Sequence, residues 1–91
     1  MTTVAGRVGV IGGGRMGAGI AQSFAAAGFE VVVAESNEQA AAAARERIAV
    51  GLRRAAERDG LAEPVEAVLT RVATVRAIDG LPAAADLIVE A

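Results

Sequence analysis

A glycine-rich turn near the N-terminus constrains the fold of this chain more than any other sequence feature. Gly12, Gly14 and Gly17 form the pattern G-x-G-x-x-G. The run Arg7–Ile11 precedes the turn and does not alternate with polar residues, which is typical of a strand covered on both faces. From Met16 onward the apolar residues follow helical spacing. The pattern predicts a strand–turn–helix unit that binds a dinucleotide, because the helix N-terminus offers free N–H groups to phosphates.

Each glycine of the pattern has a separate physical reason. Gly12 permits the tight turn out of the strand. Gly14 lacks a Cβ, so the backbone can approach a pyrophosphate at this point. Gly17 lets the helix pack closely on the sheet. Flavin nucleotides bind to the same fingerprint, so the motif alone leaves FAD open beside a nicotinamide dinucleotide.

An acidic residue follows the second predicted strand at the spacing that dinucleotide-binding folds use. Gly28 is predicted to end the first helix in a left-handed conformation, and Phe29–Ala34 is the strand that follows. Glu35 comes directly after it, eighteen residues beyond Gly17. Its carboxylate could accept hydrogen bonds from the ribose hydroxyls, whereas a 2′-phosphate would meet a like charge. The sequence therefore predicts NAD rather than NADP.

The rest of the chain continues to alternate helices with strands. Ser36 is the predicted N-cap of a long helix, with Gln39 completing a capping box, and Gly60 is its predicted end. The elements predicted after Glu35 are a helix over residues 37–59, a short helix from Pro64 to Thr70, a strand at Val72–Val75, a helical turn within Asp79–Ala85 and a strand at Asp86–Glu90. Such alternation predicts an α/β, Rossmann-type parallel sheet, here partial, with four strands in the order 3-2-1-4.

Composition excludes several classes of function. The formal net charge is −2, so the chain has no basic excess to hold nucleic acid, and no apolar run reaches the length of a membrane span. The chain has no Cys, which excludes a thiolate metal site, and no metal site is predicted. It also has no His, Lys or Tyr, the usual proton donors and acceptors, so no catalytic residue is predicted. The N-terminus lacks the pattern of a secretory signal, and the expected location is cytoplasmic.

The sequence around the glycine turn resembles the 3-hydroxyacyl-CoA dehydrogenase family. The stretch over residues 8–22, VGVIGGGRMGAGIAQ, is similar to the family's G-x-G-x-M-G-x-G-I-A opening. The two helices between strands 2 and 3 match its helix-turn-helix insertion. The last six residues, DLIVEA, match its fourth strand, usually D-L-V-I-E-A. The resemblance covers Arg7 to Ala91, nearly the whole chain.

The resemblance implies an oxidoreductase of fatty acid metabolism that oxidises a 3-hydroxyacyl-CoA, such as 3-hydroxybutyryl-CoA, and passes hydride to NAD. It implies that the pyrophosphate loop runs through Gly12, Gly13, Gly14, Arg15, Met16 and Gly17. The ribose acid falls on Glu35, where many members have Asp. A basic residue of the insertion that contacts CoA falls on Arg58, while its companion hydroxyl position falls on Gly51, which has no side chain. The implied partner is therefore an acyl-CoA substrate.

The family's catalytic His and Glu, its carbonyl-binding Ser and Asn, and its dimerisation domain follow the fourth strand, so none has a counterpart here. We therefore interpret residues 1–91 as the N-terminal portion of an NAD-binding Rossmann domain without the C-terminal catalytic and dimerisation part. The first two crossovers place their helices on one face of the sheet, which leaves only residues 77–85 for the other. Self-association of the chain is the expected consequence. The alternatives are a freestanding nucleotide-binding module and an inactive fragment.

Overall fold

The structure, a computed structural model, describes residues 6–12, 14–76, 81 and 85–91. Its four strands form one parallel sheet in the order β3-β2-β1-β4. The elements in chain order are β1 Arg7–Ile11, α1 Arg15–Ala26, β2 Glu30–Ala34, α2 Glu38–Glu57, α3 Val65–Leu69, β3 Val72–Val75 and β4 Leu87–Glu90. The predicted α/β class and the predicted strand order are both confirmed.

The core lies between one face of this sheet and the helices α1 and α2. Parallel pairing sets Val8 opposite Val31 and Val10 opposite Val33, and all four side chains are buried. The helices contribute mainly small side chains to this core: Ala18, Ala21 and Ala25 from α1, with Ala44, Ile48 and Leu52 from α2. Alanine has a small side chain, so these positions allow the helices to approach the sheet closely.

The first crossover ends as the sequence predicts. Gly28 has φ +100°, the left-handed region that favours glycine. The Phe29 N–H donates to the carbonyl of Phe24 at 3.0 Å, and the two rings meet edge to face with centroids 5.2 Å apart. This contact fixes the direction in which the chain leaves α1 and enters β2.

The N-cap of α2 lies one position after the predicted one, and the helix ends at Glu57 with Arg58 as its C-cap, before the predicted stop at Gly60. Asn37, not Ser36, is the N-cap, and its side-chain oxygen accepts from the Ala40 N–H at 2.8 Å. Asn and Ser are comparable N-caps, so propensity could not choose between neighbours. At the other end, the left-handed residue is Asp59 with φ 57°, not Gly60. The Gly60 N–H instead closes the turn by donating to the Ala55 carbonyl at 2.7 Å.

A partly buried ion pair attaches the α3 region to the end of α1. Arg71 is 8 % exposed and donates through Nη2 to the Ala25 carbonyl at 2.7 Å. Its guanidinium also contacts both carboxylate oxygens of Glu63, at 2.6 and 3.0 Å. Hydrogen bonding from Arg71 lowers the pKa of Glu63, and the same contact raises the pKa of Arg71. Pro64, predicted inside the short helix, is instead its N-cap residue.

The sheet is covered less well at β4, where Leu87 is 45 % exposed and Ile88 is 50 % exposed. On the face opposite α1, Leu81 lies over Gly9, where an added Cβ would come within 3.3 Å of the leucine side chain. The helical turn predicted within Asp79–Ala85 lies almost wholly outside the described residues. Of the three exposed large apolar side chains among the described residues, Leu87 and Ile88 therefore lie on this edge strand, and the third, Met16, lies at the start of α1.

Candidate functional site

The carboxyl ends of β1 and β2 place the glycine turn beside the predicted acid. The Gly12 N–H donates to the Ala34 carbonyl at 3.0 Å, and the Glu35 N–H donates to the Val75 carbonyl at 2.8 Å. Both residues therefore sit at the same edge, one after each central strand. In an open parallel sheet this edge is where ligands bind.

The turn itself depends on two glycines. Gly12 has φ +92°, a conformation that side chains disfavour. Gly17 is buried in the first turn of α1, and a Cβ there would collide with the backbone carbonyl of Gly12. The helix can reach this distance from β1 only because residue 17 has no side chain.

Gly14 faces open space. It is the N-cap residue of α1, no side chain caps that helix, and no acidic residue lies in the first turn. A Cβ added to Gly14 would meet nothing within 4 Å. The first N–H groups of a helix have no intrahelical acceptor, and the helix dipole favours an anion near them. The residues present therefore fit a pyrophosphate.

Two further residues of the predicted pyrophosphate loop, Arg15 and Met16, are exposed at the start of α1. Gly13 lies outside the described residues. Glu35 is half-buried and directly precedes the loop that leads to the Asn37 cap. Glycine turn, helix N-terminus and acid thus share one edge.

A groove between α1 and α2 is the feature that the sequence reasoning missed. Its volume is about 530 Å³, and it is lined by Arg15, Ala18, Gly19, Gln22, Glu46, Arg47, Val50, Gly51 and Arg54. Three of its lining residues are arginines and one is a glutamate, so the groove has a net positive charge that favours an anionic ligand. The signal was present as two arginines seven residues apart on α2, which places them on one helix face.

The two positions that the resemblance assigned to CoA, Gly51 and Arg58, both belong to the C-terminal half of α2. Gly51 lines the groove, and a Cβ there would collide with the side-chain oxygen of Gln22 from α1. Arg58 is exposed at the C-cap of α2 and is not among the groove residues. The space of the missing companion hydroxyl is therefore filled by an amide.

Within the described ranges, no cluster of three metal-binding side chains occurs. Searching the same residues reveals no helix with the length and hydropathy needed to span a bilayer.

Fold and site together define a dinucleotide-binding domain of the Rossmann type. Residues 7–91 match the family defined as the 3-hydroxyacyl-CoA dehydrogenase NAD-binding domain. The chain belongs to this family, and its cofactor is NAD. FAD, which the glycine motif alone left open, is thereby set aside.

Named relatives agree with this assignment. A 3-hydroxybutyryl-CoA dehydrogenase of Mycobacterium tuberculosis (strain H37Rv) is 53 % identical over 49 residues, covering 54 % of this chain and 17 % of the relative. The mitochondrial hydroxyacyl-coenzyme A dehydrogenase of Sus scrofa is 38 % identical over 88 residues, covering 90 % of this chain and 28 % of that protein.

Solved structures share the fold. FadB2 of M. tuberculosis superposes with a TM-score of 0.86 at 36 % identity, covering 98 % of this chain and 31 % of that one. The 3-hydroxybutyryl-CoA dehydrogenase of Escherichia coli K12 gives a TM-score of 0.81 at 40 % identity, covering 93 % and 18 %. The chain thus spans less than a third of the length of each relative.

Proposed function

We propose that this chain is the NAD-binding segment of an enzyme that oxidises a 3-hydroxyacyl-CoA to the 3-ketoacyl-CoA. The hydride passes to NAD, and 3-hydroxybutyryl-CoA is the proposed substrate type. The observation that carries the proposal is the open space at Gly14, at the N-terminus of α1, on the sheet edge that also carries Glu35. Two of the relatives named above are 3-hydroxybutyryl-CoA dehydrogenases, which supports this substrate class.

The residues of this chain bind and orient the cofactor. NAD, when bound, supplies the hydride acceptor. The N–H groups at the start of α1, beyond Gly12 and Gly14, hold the pyrophosphate, and no acidic side chain in that turn opposes its charge. Glu35 accepts hydrogen bonds from the adenosine ribose. Gly13, Arg15 and Met16 complete the proposed loop.

Oxidation of an alcohol also requires a group that accepts the hydroxyl proton. Residues 1–91 contain no His, Lys, Tyr or Cys. Carboxylates remain as proton acceptors. At the carboxyl edge of the sheet, however, Glu35 is assigned to the ribose, and Glu90 is the last residue of strand β4. We therefore propose that residues 1–91 form the N-terminal portion of the domain and that the proton acceptor belongs to a part outside them.

The acyl-CoA is proposed to meet the basic side of α2. Arg58 stays the proposed CoA contact, although Gly51 offers no hydroxyl to assist it. The arginines of the neighbouring groove, Arg15, Arg47 and Arg54, would add positive charge near the phosphates of the same ligand. Gln22 can donate from its amide where the companion hydroxyl is missing.

We also propose a metabolic context, a compartment and a mode of self-association for this chain. The chemistry belongs to acyl-CoA and fatty acid metabolism, and the compartment is the cytoplasm, which fractionation of the source cells would check. The chain on its own is expected to associate through β4, where Leu87 and Ile88 are exposed.

A paired assay tests the proposed function. Residues 1–91 and the complete reading frame of the source gene are each incubated with 3-hydroxybutyryl-CoA and NAD, while NADH absorbance is followed. We expect turnover from the complete protein and none above buffer from residues 1–91. Both binding NADH with neither turning over would support the freestanding module. No binding by either would contradict the proposal.

A further inference from the structure

We propose that Arg76 and Glu35 are opposing charges at the ribose site, and that their balance sets how strongly NAD is preferred over NADP. Arg76 is the cation that a 2′-phosphate would engage, and Glu35 is the anion that keeps it away. The inference rests on the proposed NAD site and adds a specificity-determining residue to it.

The sheet register places the two residues side by side. Ala34 of β2 pairs with Val75 of β3, and each of the two residues follows directly after one member of that pair. The Glu35 N–H donates to the Val75 carbonyl at 2.8 Å, so the β2–β3 ladder continues to the point where Arg76 begins. Both therefore lie at the carboxyl edge, on neighbouring strand ends.

The side chain of Arg76 extends toward the loop that carries the acid. Its Nη1 lies 3.7 Å from Oε1 of Glu38, the first residue of α2. Only two residues separate Glu38 from Glu35, so the guanidinium lies beside the β2–α2 loop. In this fold the residues after β2 contact the 2′ position of the adenosine ribose.

The ion pair holds Arg76 only weakly. The side chains of Arg76 and Glu38 are 70 % and 84 % exposed, and solvent screens pairs of this kind strongly. A guanidinium presents a planar fork that matches phosphate oxygens, so a 2′-phosphate would compete well with the Glu38 carboxylate at 3.7 Å. With Glu35 in place, repulsion from its carboxylate opposes that contact.

Half-cofactors isolate this effect from the rest of NAD. ADP and 2′-phospho-ADP (adenosine 2′-phosphate 5′-diphosphate) differ by the phosphate at the 2′ position alone, and their dissociation constants are measured by calorimetry at low salt. We expect the wild-type protein to prefer ADP. Glu35→Gln should tighten 2′-phospho-ADP about tenfold while changing ADP by a few-fold at most. Arg76→Gln in that background should reverse most of this gain, and Arg76→Lys should keep part of it.

A matched control separates a local contact from general charge. Arg53 has a similar exposed carboxylate partner, Glu46, at 3.2 Å, but lies on α2 away from the sheet edge. Arg53→Gln should leave the ratio of the two dissociation constants unchanged. If Arg53→Gln and Arg76→Gln have equal effects, or Arg76→Gln has none in the Glu35→Gln background, the inference is wrong. If the wild type binds neither ADP nor NADH, the proposed NAD site itself fails.

Discussion

The two central strands and the β4 edge were built from similar residues but differ in what covers them. Val8, Val10, Val31 and Val33 are completely enclosed by α1 and α2. At β4, Leu87 and Ile88 keep about half of their surface exposed. The candidate site lies at the carboxyl end of the enclosed part. Cofactor binding should therefore depend on the enclosed region, and association of the chain should depend on the exposed one.

Substitutions at the glycines of the enclosed region should have the largest effects on NADH binding and stability. Gly17→Ala forces a Cβ into the Gly12 carbonyl, so we expect both lost NADH binding and a destabilisation of about 2–4 kcal/mol.

Gly14→Val should abolish NADH binding with little change in thermal stability, because its side chain enters open space that the pyrophosphate needs. Thermal melts and NADH fluorescence on both variants separate the two roles. Retained binding in Gly14→Val would contradict the loop assignment.

Protonation of Glu63 at acidic pH should lower the stability of the folded chain. Hydrogen bonding from Arg71 lowers the pKa of this carboxyl in the folded chain. The resulting stability is complete above the unfolded value, near pH 4.3, and is lost as pH falls through the lower folded value. We expect the melting temperature of wild type to fall more between about pH 5 and 3 than that of Glu63→Gln.

The melting temperatures of wild type and Glu63→Gln should converge at the acid end of this pH range. Parallel pH profiles would show that Glu63 does not titrate in this way. Glu66→Gln on the neighbouring α3 is the control, since it removes a carboxyl from the same region without breaking the Arg71 contact.

The exposed edge should control association. Ile88→Ser and Leu87→Ser reduce apolar surface that is already half in water, so each should change stability by less than about 1 kcal/mol. Together they should lower self-association of the chain in sedimentation velocity at micromolar concentration and reduce its ANS fluorescence. NADH affinity should not change. A wild-type chain that is monomeric without ANS binding would refute association through β4.

A difference in stability distinguishes the two neighbouring candidates for the N-cap of α2. Asn37→Ala removes the acceptor for the Ala40 N–H and should cost about 1 kcal/mol of stability. Ser36→Ala removes no helix cap and should cost less than half of that. Denaturant melts resolve the difference, and equal losses would show that the assignment of the cap to Asn37 is wrong.

Local sequence chemistry predicted the parts of the fold that depend on neighbours in the chain. The apolar runs gave the strands, and Gly12, Gly17 and Gly28 were readable because each meets a backbone demand that only glycine satisfies easily. The contacts that were missed join distant residues. Arg71 reaches Ala25 across 46 positions, and Gln22 meets Gly51 only after α1 and α2 have packed.

The site was predicted to a similar extent. The glycine turn and Glu35 meet at one sheet edge because parallel strands bring their carboxyl ends together, which strand order alone implies. The approach of Arg76 to Glu38 follows from the register of β3 on β2, a tertiary quantity that no local pattern specifies. The spacing of Arg47 and Arg54 can be read from the sequence, but the groove that they line forms only when α1 packs against α2.

Calorimetric titration of the wild-type chain with NADH and with NADPH tests the central claim most directly. The account predicts saturable one-to-one binding of NADH and weaker binding of NADPH, since Glu35 accepts from a ribose hydroxyl and repels a 2′-phosphate. Equal or tighter binding of NADPH, or no binding of either nucleotide, would contradict it.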